Sequence, residues 1–177
     1  YGNENDYTFQ DVSMTPKYYY GFQVDLAWKG IDLSMTWAGA GGFSIYWRYL
    51  GFNSYSTRGD TTISKEIAYD HYDPRTNLTS KHGRLTMNYG SEQNGGTNYS
   101  SHWLYKGDYL KLKNLTVGYT LPKKWLRKIR LQDVRIYLSG ENLWTITDYP
   151  GMDPEFSDTM NYYASLKQYS IGLNIKF

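Results

Sequence analysis

From Gln168 to Phe177, at the end of the chain, apolar and polar positions alternate without a break. Tyr169, Ile171, Leu173, Ile175 and Phe177 share one parity, and Gln168, Ser170, Gly172, Asn174 and Lys176 share the other. Successive side chains of a strand point to opposite faces, so this segment presents one apolar and one polar surface. The same period governs Tyr18 to Lys29, where Tyr18, Tyr20, Phe22, Val24, Leu26 and Trp28 alternate with Gly21, Gln23, Asp25, Ala27 and Lys29. Lys29-Gly30 then carries the signal of a two-residue hairpin, and Ile31, Leu33, Met35 and Trp37 alternate with Asp32, Ser34, Thr36 and Ala38. The pattern predicts a long antiparallel pair, closed by Gly39 to Gly42. From there to about Lys106 no period is sustained, and Gly, Asn, Ser, Thr and Tyr dominate.

A third strand is expected from Asp108 to Leu121. Leu115, Val117, Tyr119 and Leu121 keep one parity, whereas Leu110 and Leu112 keep the opposite one, so the phase slips near Lys113. Either a β-bulge causes the slip, or the first half rises clear of a membrane as a wall wetted on both sides. Pro122 ends the strand and a basic stretch, residues 123–130, follows. A fourth strand is expected from Asp133 to about Ile146, with Val134, Ile136 and Leu138 on one face, an interruption at Gly140 and Asn142, and Trp144 and Ile146 beyond it. Residues 147–164, with Tyr149-Pro150-Gly151 and Asp153-Pro154, make a loop before the final strand.

Alternation alone does not say whether the apolar faces meet a protein core or lipid. The alternating stretches run about 9 to 12 residues, the reach of a tilted strand across a bilayer and longer than the usual soluble strand of about 5 to 6. Twenty tyrosines and six tryptophans among 177 residues suit the aromatic girdles of membrane barrels. The connections alternate short, long, short, long, as in barrels with brief periplasmic turns and extended exterior loops. If the Lys29-Gly30 turn is periplasmic, strand parity leaves Phe177 in the periplasm as well. About five strands cannot close a barrel, and open edges in hydrocarbon leave backbone groups unpaired at several kcal/mol each. The expected fold class is therefore all-β: C-terminal antiparallel strands of a large transmembrane β-barrel with long extracellular loops. Under this reading residues 1–177 are the C-terminal segment, with the earlier strands supplied by other residues. Residues 40–106 and 147–164 are its exterior loops. The start at Tyr1, with neither initiator Met nor signal peptide, fits the same expectation.

Nineteen Lys and Arg against seventeen Asp and Glu leave a net charge of +2, which gives no reason to expect nucleic acid as a partner. Without cysteine there is no disulfide framework, no Cys-based metal site and no thiol nucleophile. No apolar run approaches the roughly 18 residues of a membrane-spanning helix, which says little about strands.

The run from Trp103 to Pro122, with Tyr109-Leu110-Lys111-Leu112-Lys113-Asn114-Leu115 at its centre and Gly118-Tyr119-Thr120-Leu121-Pro122 at its close, resembles the end of SusC/RagA-family TonB-dependent transporters. Val134 to Leu143, Pro150-Gly151-Met152-Asp153-Pro154-Glu155 and Tyr169 to Phe177 are similar to that family in the same order. So are Pro16 to Phe22 and Lys29 to Leu33 upstream, while residues 40–101 carry less of the likeness. The resemblance implies a barrel of about 22 strands with a plugged lumen. It implies import of oligosaccharide, or sometimes peptide, across the outer membrane of a Gram-negative bacterium, with no cofactor and no enzymatic step. The implied partners are a SusD-like surface lipoprotein as lid, the TonB complex acting on the absent plug, outer-membrane lipid and the barrel-assembly machinery. The terminal strand, Tyr169, Ile171, Leu173, Ile175 and Phe177, is implied as the assembly signal. A secreted β-sandwich that binds carbohydrate is the reading from another class, and the same barrel importing peptide, siderophore or vitamin is a further one.

Ligand contacts are expected in the long loop, where Trp47, Arg48, Tyr49, Tyr55, Tyr69, His71 and Asp73 set aromatic faces beside charged groups, as also do Tyr72 and Trp103. Such a set suits sugars, whose C–H faces stack on rings while hydroxyls take hydrogen bonds. The plainer account is that these aromatics pack loop against loop or belong to the outer girdle. His71, His82 and His102 lack any ligand spacing, so no metal is expected. Asp70 with Asp73, and Asp153 with Glu155, have no hydrolase motif around them, and the latter pair is expected to shape a turn. Residues 123–130 suit either an anionic partner or a solvated connection dipping Trp125, Leu126 and Ile129 toward the barrel rim. Three Asn-X-Ser/Thr sequons carry no weight in a bacterial protein.

Overall fold

The computed structural model describes residues 8–46, 63, 65–80, 82–85, 101–127, 131–156 and 165–177. Five long strands form one antiparallel sheet: β1 (Tyr18–Trp28), β2 (Ile31–Gly41), β5 (Tyr109–Thr120), β6 (Asp133–Thr147) and β7 (Gln168–Lys176), adjacent in that order. Neighbours in the sheet are neighbours in the chain apart from the excursion between β2 and β5, the meander of an up-and-down barrel. Lengths of 9 to 15 residues agree with the expected crossing strands. The β1–β2 turn has both central residues at positive φ, Lys29 at 49° and Gly30 at 87°, as a tight hairpin requires.

Register carries the alternation of β1 across the whole sheet. Leu26 faces Leu33, Leu33 faces Val117, Val117 faces Leu138 and Leu138 faces Ile171, so one apolar row crosses five strands. These side chains lie open: Leu26 is 59% exposed, Leu138 60% and Ile171 76%. Among the described residues no second sheet lies over them, the arrangement of a barrel wall rather than of a sandwich, which needs a facing sheet.

The slip at Lys113 is a bulge. The rungs Met35 to Trp37 on β2 are matched by Leu115 to Leu112 on β5, leaving one extra residue on β5. They are matched by Gly140 to Trp144 on β6, which adds another, and Asn142 there takes φ of 52°. Asparagine is among the few residues that tolerate this left-handed backbone. The second strand also runs further than expected, through Gly39 to Gly41, because small residues there fit under the aromatic rings of β1. A short helix, α2 (Lys123–Leu126), follows β5, with Leu126 almost fully buried and packed toward β6.

The long segment forms a unit of its own. It contains a two-stranded ladder of β3 (Ser44–Tyr46) and β4 (Leu104–Lys106), a short helix α1 (Lys65–Tyr69) and a 3-10 turn over Ser101–Trp103. Ile67 and Trp103 form its buried centre, with Tyr46, Leu85 and Tyr105 against them. A few apolar side chains thus organise a loop that shows no period in sequence.

Candidate functional site

The polar face of the sheet holds two ion-paired groups. The first joins β5 to the loop after β6. Lys111, only 1% exposed, donates from Nζ to both carboxylate oxygens of Asp153 at 2.9 and 2.8 Å and to Glu155 Oε2 at 2.9 Å. Lys113 donates to Glu155 Oε2 at 2.6 Å. Asp153 accepts further bonds from the Glu155 amide at 3.1 Å and the Ser165 amide at 3.4 Å. Lys113, at the bulge, reaches the same group as Lys111, so two ammonium groups meet the Glu155 carboxylate. Two cations and two carboxylates balance in charge, which is what lets Lys111 and Asp153 be buried while Lys113 and Glu155 stay partly exposed.

Burial pushes the Asp153 carboxyl up, but the hydrogen bond from Lys111, helped by Ser165 and the Glu155 amide, more than reverses this and holds it below the ordinary carboxylate range. Glu155 is likewise raised by burial and lowered further by Lys113 and Lys111, with the same net direction. Both stay ionised at neutral pH. Chemically the cluster is a latch, fixing the connection after β6 onto the sheet.

The second group lies toward the opposite end of the same face. Arg135 on β6 forms a two-pronged ion pair with Asp32 on β2, donating from Nε to Oδ1 at 2.9 Å and from Nη2 to Oδ2. Between them runs β5, and the pair passes directly over Gly118: a Cβ there would stand 2.5 Å from Asp32 Oδ1 and 2.6 Å from Arg135 Nε. The guanidinium also sits 5.0 Å from the ring centroid of Tyr137. A residue with no side chain in the middle strand lets two charges two strands apart meet.

Trp47, Arg48, Tyr49 and Tyr55 lie outside the described residues. Tyr69 is 80% exposed on α1, with the Lys65 ammonium 6.0 Å from its ring centroid. His71 donates from Nδ1 to the carbonyls of Ile67 and Ala68, at 3.2 and 3.1 Å, closing the end of α1. Asp73 organises a turn, its Oδ1 accepting the Arg75 amide at 2.8 Å and its carbonyl the Asn77 amide at 2.8 Å. The hydrogen bond from the Arg75 amide, opposed by burial and helped by the Arg75 charge, leaves its carboxyl below the usual range. His71 and Asp73 are thus engaged in local structure. Sequence reasoning passed over Lys111, Lys113, Asp32 and Arg135. Its only hint was the phase slip at Lys113 with the Asp153-Pro154-Glu155 turn, separated by some forty residues and unlinked by any motif.

No protein-family model matches the sequence. A TonB-dependent receptor, P3, of Formosa agariphila is 34% identical over 92% of this chain, which covers 16% of that receptor. The TonB-dependent receptor SusC of Bacteroides thetaiotaomicron is 23% identical over 77% of the chain and 15% of its own length. Among solved structures, the RagAB peptide importer in its closed-closed state superposes over the whole chain with a TM-score of 0.78 and 26% identity, and its open-open state with 0.76 and 25%. In both, the match covers 19% of the importer chain, so the present chain spans only 15% to 19% of the length of these proteins. The relatives are receptors and transporters rather than enzymes. An open single-layer sheet, apolar on one face and ion-paired on the other, belongs in a closed cylinder, and the chain is a barrel segment of the SusC/RagA family of TonB-dependent transporters.

Proposed function

We propose that this chain supplies closing strands and exterior loops to an outer-membrane, TonB-dependent importer of oligosaccharide in a Gram-negative bacterium. The observation that carries the reading is the unsealed sheet itself: five crossing strands, an exposed apolar row, a polar row with satisfied charges, and edge strands β1 and β7 that each have one partner among the described residues. Lipid on one side and a watery lumen on the other satisfy both rows. Further strands of the same barrel satisfy the edges.

Residues 40–106 and 147–164 face the exterior in this reading. Trp47, Arg48, Tyr49, Tyr55 and Tyr69 are the candidate cargo contacts, and a SusD-like lipoprotein closes over them as a lid. The TonB complex acts through a plug outside these residues. The barrel-assembly machinery reads Tyr169, Ile171, Leu173, Ile175 and Phe177. A second reading keeps the barrel and changes the cargo to peptide, supported by the likeness of this chain to 19% of the RagAB importer chain, which is described as a peptide importer.

Calorimetry on the whole transporter with its lipoprotein separates the two. Oligosaccharide binding that weakens at least tenfold on Trp47→Ala or Tyr49→Ala supports the first, as expected for a lost stacking ring. Binding of oligopeptides alone supports the second.

A further inference from the structure

We propose that the end of the sheet carrying the β1–β2 turn and the β5–β6 connection is a docking rim for anionic phospholipid headgroups, built from Lys29, Lys123, Lys124 and Arg127 with the indoles of Trp28 and Trp125. It rests on the outer-membrane reading above.

The two connections are neighbours. The Thr120 amide donates to the Gly30 carbonyl at 2.7 Å, so the hairpin turn abuts the end of β5 just before α2 begins. Leu126, 1% exposed, pins α2 down, and the Leu131 amide closes the connection onto the Leu126 carbonyl at 3.2 Å. With Leu126 inward, Lys123, Lys124, Trp125 and Arg127 are left exposed.

Charge there is one-sided. Residues 121–132 contain five of the nineteen basic side chains and no acidic one, although the whole chain carries only +2. The acidic groups nearest in register do not cancel it: Asp32 is held by Arg135, and Asp133 lies opposite Lys176. An ammonium or guanidinium close to an anionic lipid surface strengthens attraction by about fivefold, and such clusters bind anionic headgroups.

The apolar row says which anion. Trp28 ends the apolar face of β1, 68% exposed, with the Lys29 ammonium 4.6 Å from its ring centroid, and Ile31 and then Tyr119 follow it in register on that face. An indole at the boundary between acyl chains and headgroups, with a cation immediately beyond it, reproduces the depth profile of a phospholipid leaflet. A nucleic acid or an acidic protein has no use for the greasy border.

The test is native mass spectrometry of the full-length transporter in an equimolar mixture of phosphatidylglycerol and phosphatidylethanolamine. The wild type should retain phosphatidylglycerol preferentially. The triple variant Lys123→Ala/Lys124→Ala/Arg127→Ala should lose that preference by about a hundredfold, while Lys123→Arg/Lys124→Arg/Arg127→Lys keeps it. Equal retention of the two lipids by the wild type, or undiminished preference in the alanine variant, overturns the proposal. Heat-modifiable gel mobility of the same samples tells the failures apart: a barrel without the preference leaves the transporter reading standing, and a chain that forms no barrel ends both.

Discussion

Removing the Lys111 ammonium should unlatch the loop after β6 far more than removing that of Lys113. Lys111→Met keeps the stem but leaves Asp153, itself only 4% exposed, held by two backbone amides at 3.1 and 3.4 Å. Breaking one side of a buried ion pair costs about 3 to 5 kcal/mol, most of it the isolated charge left behind. That corresponds to an opening equilibrium raised by about a hundredfold to a few thousandfold. Lys113→Met removes a partner from a pair whose side chains are 27% and 26% exposed, where water takes up the charge and the loss is about 0 to 1 kcal/mol. Hydrogen exchange at the Glu155, Phe156 and Ser165 amides reads the opening directly in the full-length barrel. Acid provides a second readout. Both carboxyls are depressed in the folded protein, so their contribution is complete above the ordinary carboxylate range and disappears as pH falls through their lowered values, below about pH 4. In Lys111→Met, burial acts on Asp153 without the opposing ammonium, and release should begin at higher pH. Less than tenfold faster exchange in Lys111→Met, or equal acceleration in the two variants, would refute the latch.

Gly118→Leu should force Asp32 and Arg135 apart and lower the thermal midpoint of the assembled barrel, whereas an Asp32→Asn/Arg135→Gln double variant, which leaves no charge stranded, should lose less; equal loss would deny the crossing a steric cause. Leu173→Arg sets a charge in the apolar row at about 2 to 4 kcal/mol near mid-bilayer and should impair assembly, while Asn174→Arg on the polar row is tolerated; equal tolerance by heat-modifiable mobility would contradict the assigned faces. Deleting Phe177 should lower the amount of assembled barrel without altering cargo preference, and unchanged assembly would remove the terminal signal.

Strands were legible because a two-residue period is written locally: each residue from Tyr18 to Trp28 declares its face without reference to the rest of the chain. The slip at Lys113 was legible too, since a bulge inverts parity and leaves apolar residues three apart. What it was for could not be read, because Lys111 and Asp153 meet only after β6 has crossed and the chain has turned back. The same holds for Asp32 and Arg135, which are joined by the absence of a side chain at Gly118. Within the long segment, Ile67 and Trp103 pack across a separation that no local pattern announces. The aromatic and charged composition that suggested cargo contacts did not distinguish His71 and Asp73, which tie down a helix end and a turn, from groups free to meet a ligand.

The ring of Tyr137 lies over Gly172 directly across the ladder, as that of Tyr20 lies over Gly39, whose added Cβ would stand 2.6 Å from the ring. Each such couple is a lid and a seat cut to one another's size. Neither member can drift alone: a bulkier seat needs a smaller lid, and a smaller lid bares the backbone beneath. Variation in these strands should therefore move in matched pairs, and such paired changes among distant cousins would report strand register without any coordinates.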